Sequence, residues 1–223
     1  MNRKILILFA TLLLTAAGAS AQSRRAPISP YQYGHRWYFS LQAGPMVSFG
    51  ENSESFGAAG HGWDVFTAHA ALAIGYNFND AWDMRVSGSY SYNPGACIAY
   101  DGHYPFHFHA AHLFADAVLS YNALAELNIP FNPKTYVGLG GAYTFGFTDP
   151  EHPFQMPQGP NIVPGFRVGG IAERDYPGGF GWFIDLGAEV FTDWYNGLEP
   201  VSFPLDVEIK VSFGIIYHFP LNK

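Results

Sequence analysis

The chain has 223 residues, a formal net charge of −7 and only 13% charged residues, about half the share of an ordinary globular protein. Aromatic residues make up 17% of it. No basic stripe is present, which argues against a nucleic-acid role. The single cysteine, Cys97, cannot form an internal disulfide and is interpreted as a buried or rim thiol rather than a nucleophile. Low charge with many aromatic side chains is typical of a protein whose outer wall contacts lipid.

The first residues, 1–21, are predicted to be a signal peptide. Arg3 and Lys4 form a basic start, and the apolar stretch 5–14 is too short for a membrane-spanning helix. An A-x-A motif predicts Sec-type cleavage near Ala21. Cleavage removes two basic residues and takes the net charge from −7 to −9. No cysteine stands at this junction, which argues against a lipoprotein; a retained N-terminal anchor is the alternative.

The mature chain is predicted to be one domain of alternating strands. Residues 22–34 have no period and are interpreted as a flexible periplasmic lead-in, 35–219 as the strands, and 220–223 as a short C-terminal tail. Eight strands are predicted in 35–219, and the connections between them alternate in length. The longer loops are expected at 50–62, 93–106, 148–162 and 195–203, and the shorter connections at 79–81, 122–134 and 176–179.

Two strands carry specific expectations about their geometry. In the first strand, Pro45 lies in the middle of the run and predicts a bulge, because proline cannot donate to the ladder. The fourth strand, about 107–121, has the least regular alternation. Leu113 is expected to face outward there, while Phe114 and Val118 break the pattern.

The last strand, 205–219, alternates most clearly. Its odd positions are apolar throughout, and its even positions are polar or charged except for glycine and Ile216. Successive side chains of a strand point to opposite faces, so one face is apolar and the other is charged. In outer-membrane barrels the lipid side is apolar with aromatic girdles, and the lumen side is polar. The pattern predicts an all-β, eight-stranded antiparallel up-and-down transmembrane β-barrel; a soluble sandwich or lipocalin is the alternative.

The segment from Val211 to Phe219 carries a resemblance to a known family. It resembles the C-terminal assembly signal of the outer-membrane protein beta-barrel superfamily, the porin-like group that includes the OmpA and OmpX type small barrels. Phe213, Tyr217 and Phe219 are the positions that match this signal. The resemblance implies a bacterial outer-membrane location in a Gram-negative cell and recognition by the barrel-assembly machinery. It transfers no catalytic residue.

The inward-facing charges are the first candidate site. An eight-stranded barrel has room inside for little but side chains, and desolvated charges must be paired. The sequence therefore predicts a salt-bridge network that plugs the lumen, with a selective pore as the alternative. Its predicted members are Asp83, Arg85, Asp116, Arg167, Glu173, Asp185, Glu189, Asp206, Glu208 and Lys210.

Two weaker candidates concern histidine and serine. His107 and His109 are two apart on a strand and share a face, so they can bind Zn²⁺ or Cu²⁺, with His103 as a further ligand. The alternative is that they belong to an aromatic girdle at the rim. Ser89 and Ser91 are inward on the strand before these histidines, but no G-x-S-x-G motif is present.

The predicted function is a structural or surface-interaction barrel that is not an enzyme and holds no cofactor. A narrow porin-like channel and a lipid A-modifying enzyme are the alternatives. The expected partners are outer-membrane lipid, the assembly machinery during biogenesis, and an unidentified external partner that contacts the loops. The barrel is expected to be a monomer.

Overall fold

The computed structural model describes residues 36–49, 66–99, 102–122, 129, 131–148, 159–176, 178–192, 195 and 205–219. Its strands are β1 (Arg36–Phe49), β2 (Phe66–Asn77), β3 (Trp82–Ala99), β4 (Gly102–Ser120), β5 (Asn132–Phe145), β6 (Asn161–Asp175), β7 (Phe180–Thr192) and β8 (Leu205–His218). Each strand pairs antiparallel with its neighbours in chain order, and β1 also pairs with β8. The prediction of a closed, eight-stranded up-and-down barrel is confirmed.

Several predicted segments lie outside the described residues. These are the signal peptide 1–21, the lead-in 22–34, the loop 50–62, the loop 195–203 apart from Tyr195, and the tail 220–223. In the described part of the chain, no helix is long and apolar enough to cross a membrane.

The two faces of the barrel wall have opposite chemistry. Apolar side chains cover the outside, where Leu139 is 75% exposed and Phe213 is 59% exposed. Charged side chains fill the inside, where Glu208 is fully buried and Asp83 is 1% exposed. A soluble barrel or sandwich buries its apolar face instead. The wall therefore has the polarity of a transmembrane barrel.

The hairpin formed by β3 and β4 is longer than the sequence predicted. The loop expected at 93–106 is wrong, because the two strands stay paired up to Ala99 and Gly102. Asn, Pro and Gly in this stretch are turn formers, which suggested a loop. Among the described residues, the pairing of β2 with β3 ends at Ser91, and the rest of β3 pairs with β4. Proline is tolerated in such an edge segment.

Pro45 produces no bulge, so that expectation is wrong as well. It pairs with Ala68 of β2 in an unbroken register. The effect of the missing N–H is seen on the β8 side. There Ala43 pairs with Phe213 and Met46 with Lys210, the two residues between them are unpaired in the ladder, and the register does not change. Gly44 fits this gap, since a Cβ there would lie 1.9 Å from the carbonyl oxygen of Val211.

Two strand boundaries also differ from the prediction. β5 begins at Asn132, so the end of the predicted connection 122–134 is strand, and Lys134 points into the lumen. Asn132 and Pro133 suggested a turn, but the pairing of β5 with β6 extends to them. β6 begins at Asn161, inside the predicted loop 148–162, and extends to Asp175.

The barrel has two distinct ends. The turn end carries the short connections, the first residue of β1 and the last residue of β8; the loop end carries the opposite strand ends. Each half of the lumen contains an apolar cluster. On the turn side it consists of Tyr38, Val118, Tyr136, Ile171, Phe183 and Ile216. At the loop end, the aromatic plug consists of Phe106, Phe108, Phe114, Phe191 and Tyr195 with Phe147 packed against it.

Candidate functional site

One row of directly paired residues carries much of the charge in the lumen. Paired residues on neighbouring strands point to the same face, so register places the whole row inside. The row consists of Arg85, Asp116, Gly138, Arg167, Glu189 and Glu208. Gly138 separates Asp116 from Arg167, and a Cβ on it would lie 2.1 Å from Asp116 Oδ1. The glycine therefore lets a β4 carboxylate reach a guanidinium two strands away.

The central cluster consists of Arg85, Asp116, Tyr136, Arg167 and Asp185. Both guanidinium groups hold the Asp116 carboxylate, with Arg85 Nε 2.8 Å from Oδ2 and Arg167 Nε 2.6 Å from Oδ1. Tyr136 donates a 2.9 Å hydrogen bond to Asp185, which lies 3.9 Å from Arg85. Every charge in this cluster is buried and has an opposite charge within ion-pair distance. This pairing offsets the large cost of removing the ions from water.

The loop-side cluster consists of His112, Glu189, Glu208, Lys210 and Tyr195. Lys210 Nζ lies 2.7 Å from Glu189, 3.0 Å from Glu208 and 2.9 Å from His112 Nδ1. A single ammonium therefore contacts both carboxylates and the imidazole. Arg167 Nη1 lies 3.6 Å from Glu189 and links this cluster to the central one.

Tyr195 lies outside the strands but is buried in the lumen. Its ring stacks on Phe191, with 4.3 Å between centroids and 5° between planes. Its hydroxyl donates to Glu208, accepts a 3.1 Å bond from Asn93 and lies 3.0 Å from His112 Nε2. Burial, followed by the nearby Glu208 carboxylate, raises the pKa of this hydroxyl well above its ordinary value. Tyr195 therefore keeps its proton and acts as a donor.

The turn-side cluster consists of Asp83, Lys134, Glu173, Asp175 and His218. Lys134 Nζ contacts both Glu173 carboxylate oxygens, at 2.9 and 3.0 Å, and lies 3.9 Å from Asp83. His218 Nε2 lies 3.5 Å from Glu173 and 3.5 Å from Asp175. Tyr38 closes the cluster on the β1 side by donating a 2.7 Å hydrogen bond to Asp83.

The structure places the predicted lumen charges as follows. All of them are buried in the three clusters except Asp206, which is half-buried near the loop end. Sequence reasoning did not identify Lys134, Tyr195, Tyr38 or Tyr136 as members. Lys134 was placed in a connection and Tyr195 in a loop. Tyr38 and Tyr136 occupy inward positions, but the sequence does not reveal that their hydroxyl groups donate hydrogen bonds to carboxylates.

The histidines considered for metal binding lie on the outer face of the barrel. The Tyr92 ring packs against both His107 and His109, with 5.1 Å between centroids in each case. Tyr90 Oη lies 2.5 Å from His109 Nδ1. These rings form an outward ladder near the loop end. His103 belongs to β4, where its backbone pairs with Ile98.

The residues of the predicted assembly signal lie toward the turn end of β8. Phe213 and Phe219 are exposed on the outer face, and Tyr217 is half-buried there. Tyr217 packs against Phe180 and Phe219, with centroids 4.8 and 5.3 Å apart. They contribute to an aromatic rim around the turn end.

Two groups in the described part of the chain bring a histidine and two carboxylates together. One is His112 with Glu189 and Glu208, and the other is His218 with Glu173 and Asp175. In each group the potential ligand atoms lie within 4.8 Å of one another. The first group surrounds the Lys210 ammonium.

The closed register, the apolar outer wall and the charged lumen together define the architecture of a small transmembrane barrel of the OmpA/OmpX type. The assignment depends on the barrel's own pairing and burial.

Comparisons with known proteins give the following matches. No family model and no curated protein matches the chain. Neisserial surface protein A is 14% identical with a TM-score of 0.48, covering 82% of this chain and 97% of that one. Ail of Yersinia pestis, in complex with the heparin analogue sucrose octasulfate, is 15% identical (TM-score 0.46; coverage 83% and 99%). OprG of Pseudomonas aeruginosa is 13% identical (TM-score 0.44; coverage 84% and 98%).

Proposed function

We propose that this protein is a structural or surface-interaction barrel of the bacterial outer membrane whose lumen is closed by its own charged side chains. The observation that carries the proposal is that buried ion pairs occupy the lumen at three levels, in the turn-side, central and loop-side clusters, and that Arg167 links the central cluster to the loop-side one. Ions held by opposite charges in a desolvated interior do not move freely, which supports a closed lumen.

The packing of the central cluster supports closure. The Tyr136 side chain extends over β6 toward Asp185 of β7, and both guanidinium groups lie against its ring, 4.6 Å away for Arg85 Cζ and 5.6 Å for Arg167 Cζ. A Cβ on Gly169 or Gly187 would lie 2.3 or 2.2 Å from the Tyr136 hydroxyl. The two strands that follow β5 must therefore carry glycine at these paired positions to accommodate this side chain. Opening a passage through the central cluster would require its side chains to repack.

With a filled lumen, the surfaces left for function are the lipid-facing wall and the loops at the loop end. We place the turn end in the periplasm and the loop end outside the cell, because small barrels have short periplasmic turns and longer external loops. Assembly would use the aromatic terminal strand. The loops then contact an external partner, and the barrel functions as a monomer in outer-membrane lipid.

The arrangement of serine and histidine favours a non-enzymatic role. Ser212 Oγ lies 2.9 Å from His69 Nε2, which is the kind of pair that nucleophilic catalysis uses. Both residues are buried in the lumen, each 3% exposed. A lipid A acyl chain would need the nucleophile on the outer wall. We therefore interpret this pair as part of the polar packing.

Planar-bilayer recording tests the proposal. The wild-type barrel should give no steady current at neutral pH, and a conducting porin in the same bilayer should show that the assay works. The double variant Phe191→Ala, Tyr195→Ala removes two rings from the aromatic plug but leaves the central cluster intact. It should stay closed as well, because closure is assigned to the charged layer.

A reproducible, ion-selective current from the wild-type barrel would overturn the plug and support a narrow channel. Current from the double variant alone would assign closure to the aromatic plug instead of the central cluster. In both cases the folded fraction is checked by heat-modifiable gel mobility, so that current from misfolded protein is recognised.

A further inference from the structure

We propose that Glu173, Asp175 and His218 form a divalent metal site at the turn end of the lumen, selective for a cation such as Zn²⁺ that accepts both imidazole and carboxylate ligands. The site joins β6 to β8 across β7. It is independent of whether the lumen conducts, and it lies at the end of the barrel opposite the rim histidines His107 and His109.

The geometry of the three side chains fits a metal. His218 Nε2 lies 3.5 Å from Glu173 Oε1 and 3.5 Å from Asp175 Oδ1. Zinc bonds of about 2.0–2.2 Å in a tetrahedron separate neighbouring ligand atoms by about 3.3–3.6 Å. His218 Nε2 therefore stands at metal-ligand spacing from each of the two carboxylates, and all three potential ligand atoms lie within 4.8 Å of one another.

Strand register explains how the ligands meet. Glu173 and Asp175 are two apart on β6 and share the inward face. Between Asp175 and β8 lies Gly181 of β7, which pairs with both Asp175 and Ile216. A Cβ on Gly181 would lie 2.4 Å from Asp175 Oδ1. The missing side chain therefore lets the Asp175 carboxylate extend over β7 toward His218.

In the loop-side cluster, a similar set of one histidine and two carboxylates binds a cation that the chain itself provides, the Lys210 ammonium. His112, Glu189 and Glu208 are likewise one histidine and two carboxylates, and Lys210 Nζ lies within 3.0 Å of a nitrogen or oxygen atom on each of them. On the turn side, Lys134 lies on the Glu173 carboxylate at 2.9 and 3.0 Å. A carboxylate oxygen has two lone-pair sites, so Glu173 can accept Lys134 and a metal together.

Charge and access also favour a cation here. Three carboxylates, those of Asp83, Glu173 and Asp175, lie in the turn-side cluster with Lys134 and His218. Imidazole and carboxylate groups together provide ligands that Zn²⁺ accepts. Asp175 is half-buried at the end of β6, so an ion can reach the site from the turn end.

Zinc titration of the full chain tests the site. The protein is produced without a polyhistidine tag, folded in detergent and stripped of metal with a chelator. We expect saturable binding of one equivalent of Zn²⁺ and a higher urea midpoint for the zinc-loaded barrel. Asp175→Asn and His218→Gln should each weaken binding about tenfold or more. With Co²⁺ as the probe, the wild type should show a visible absorption band that both variants lose.

Two controls separate this site from the other histidines. His112→Gln removes the imidazole from the loop-side cluster, and the double variant His107→Ala, His109→Ala removes the rim pair; both should keep full zinc affinity. The asparagine in Asp175→Asn has nearly the same shape as aspartate and lies at the end of a strand, so we expect the variant to fold. Heat-modifiable gel mobility checks this. No saturable binding by the wild type would overturn the proposal, as would binding that is lost with the rim pair and retained in Asp175→Asn.

Discussion

The loop-side and turn-side clusters of the lumen are built from the same residue types but are organised around different groups. In the loop-side cluster, the Lys210 ammonium is central and contacts both carboxylates and His112. In the turn-side cluster, Lys134 holds Glu173 closely and Asp83 only at 3.9 Å. There His218 takes the position between two carboxylates.

The two clusters also differ in how they are closed. Tyr195 and Phe191 cover the loop-side cluster, and the Tyr195 hydroxyl adds a donor to Glu208. The turn-side cluster ends at the half-buried Asp175. A buried carboxylate needs a close cation wherever it lies. The chain meets this need on the loop side with one ammonium that contacts both carboxylates, whereas on the turn side the Lys134 ammonium is close to Glu173 and 3.9 Å from Asp83.

Arg167→Met should have the largest effect, because Arg167 holds Asp116 and links the central cluster to Glu189. Removing one partner of a buried ion pair costs about 3–5 kcal/mol. Methionine keeps much of the side-chain volume, so the loss reports mainly on charge. Urea unfolding of the barrel in lipid vesicles measures it. Arg174→Met is the matched control, since Arg174 is exposed and lies over the Phe131 and Tyr176 rings; it should cost under about 1 kcal/mol. Equal losses for the two variants would contradict the buried network.

Removal of each lysine compares the two clusters directly. Lys210→Met should cost about 3 kcal/mol in the free energy of unfolding, because it leaves two buried carboxylates without their closest cation. Lys134→Met should cost about 2 kcal/mol, because Lys134 holds one carboxylate closely. The same urea titration measures both. A larger loss for Lys134→Met would show that the turn-side cluster depends on its lysine more than the distances indicate.

The fold was predictable because alternation with a period of two is visible in a single strand. Leu113, expected to face outward, is 63% exposed, and Phe114 and Val118 broke the pattern because they are the inward apolar residues of β4. The boundaries were less predictable. Asn132 and Pro133 favour turns locally, but the β5–β6 ladder continues through them. Tertiary pairing decided these positions.

The members of the lumen network were mostly predictable, but their partners were not. Alternation places Asp116 and Arg167 inside, but only the register of three strands shows that Gly138 separates them. Tyr195 gave no signal, since it belongs to no strand and follows no period. A loop side chain that enters the lumen is found only once the barrel is closed around it.

Tyr195→Phe should have the smallest effect and tests how firmly the loop-side cluster is closed. The variant keeps the ring stacked on Phe191 and removes the hydroxyl that donates to Glu208. The hydroxyl's contacts with Glu208, Asn93 and His112 are lost, but Lys210 still contacts the Glu208 carboxylate at 3.0 Å and Asn93 still donates to Ser91. We therefore expect a loss of about 1 kcal/mol in the free energy of unfolding. Tyr136→Phe is the matched control in the central cluster, where Asp185 has its nearest guanidinium at 3.9 Å. It should cost more than Tyr195→Phe, because the nearest cation is farther away. The reverse order would mean that the Tyr195 hydroxyl, and not the ammonium, is the main partner of Glu208.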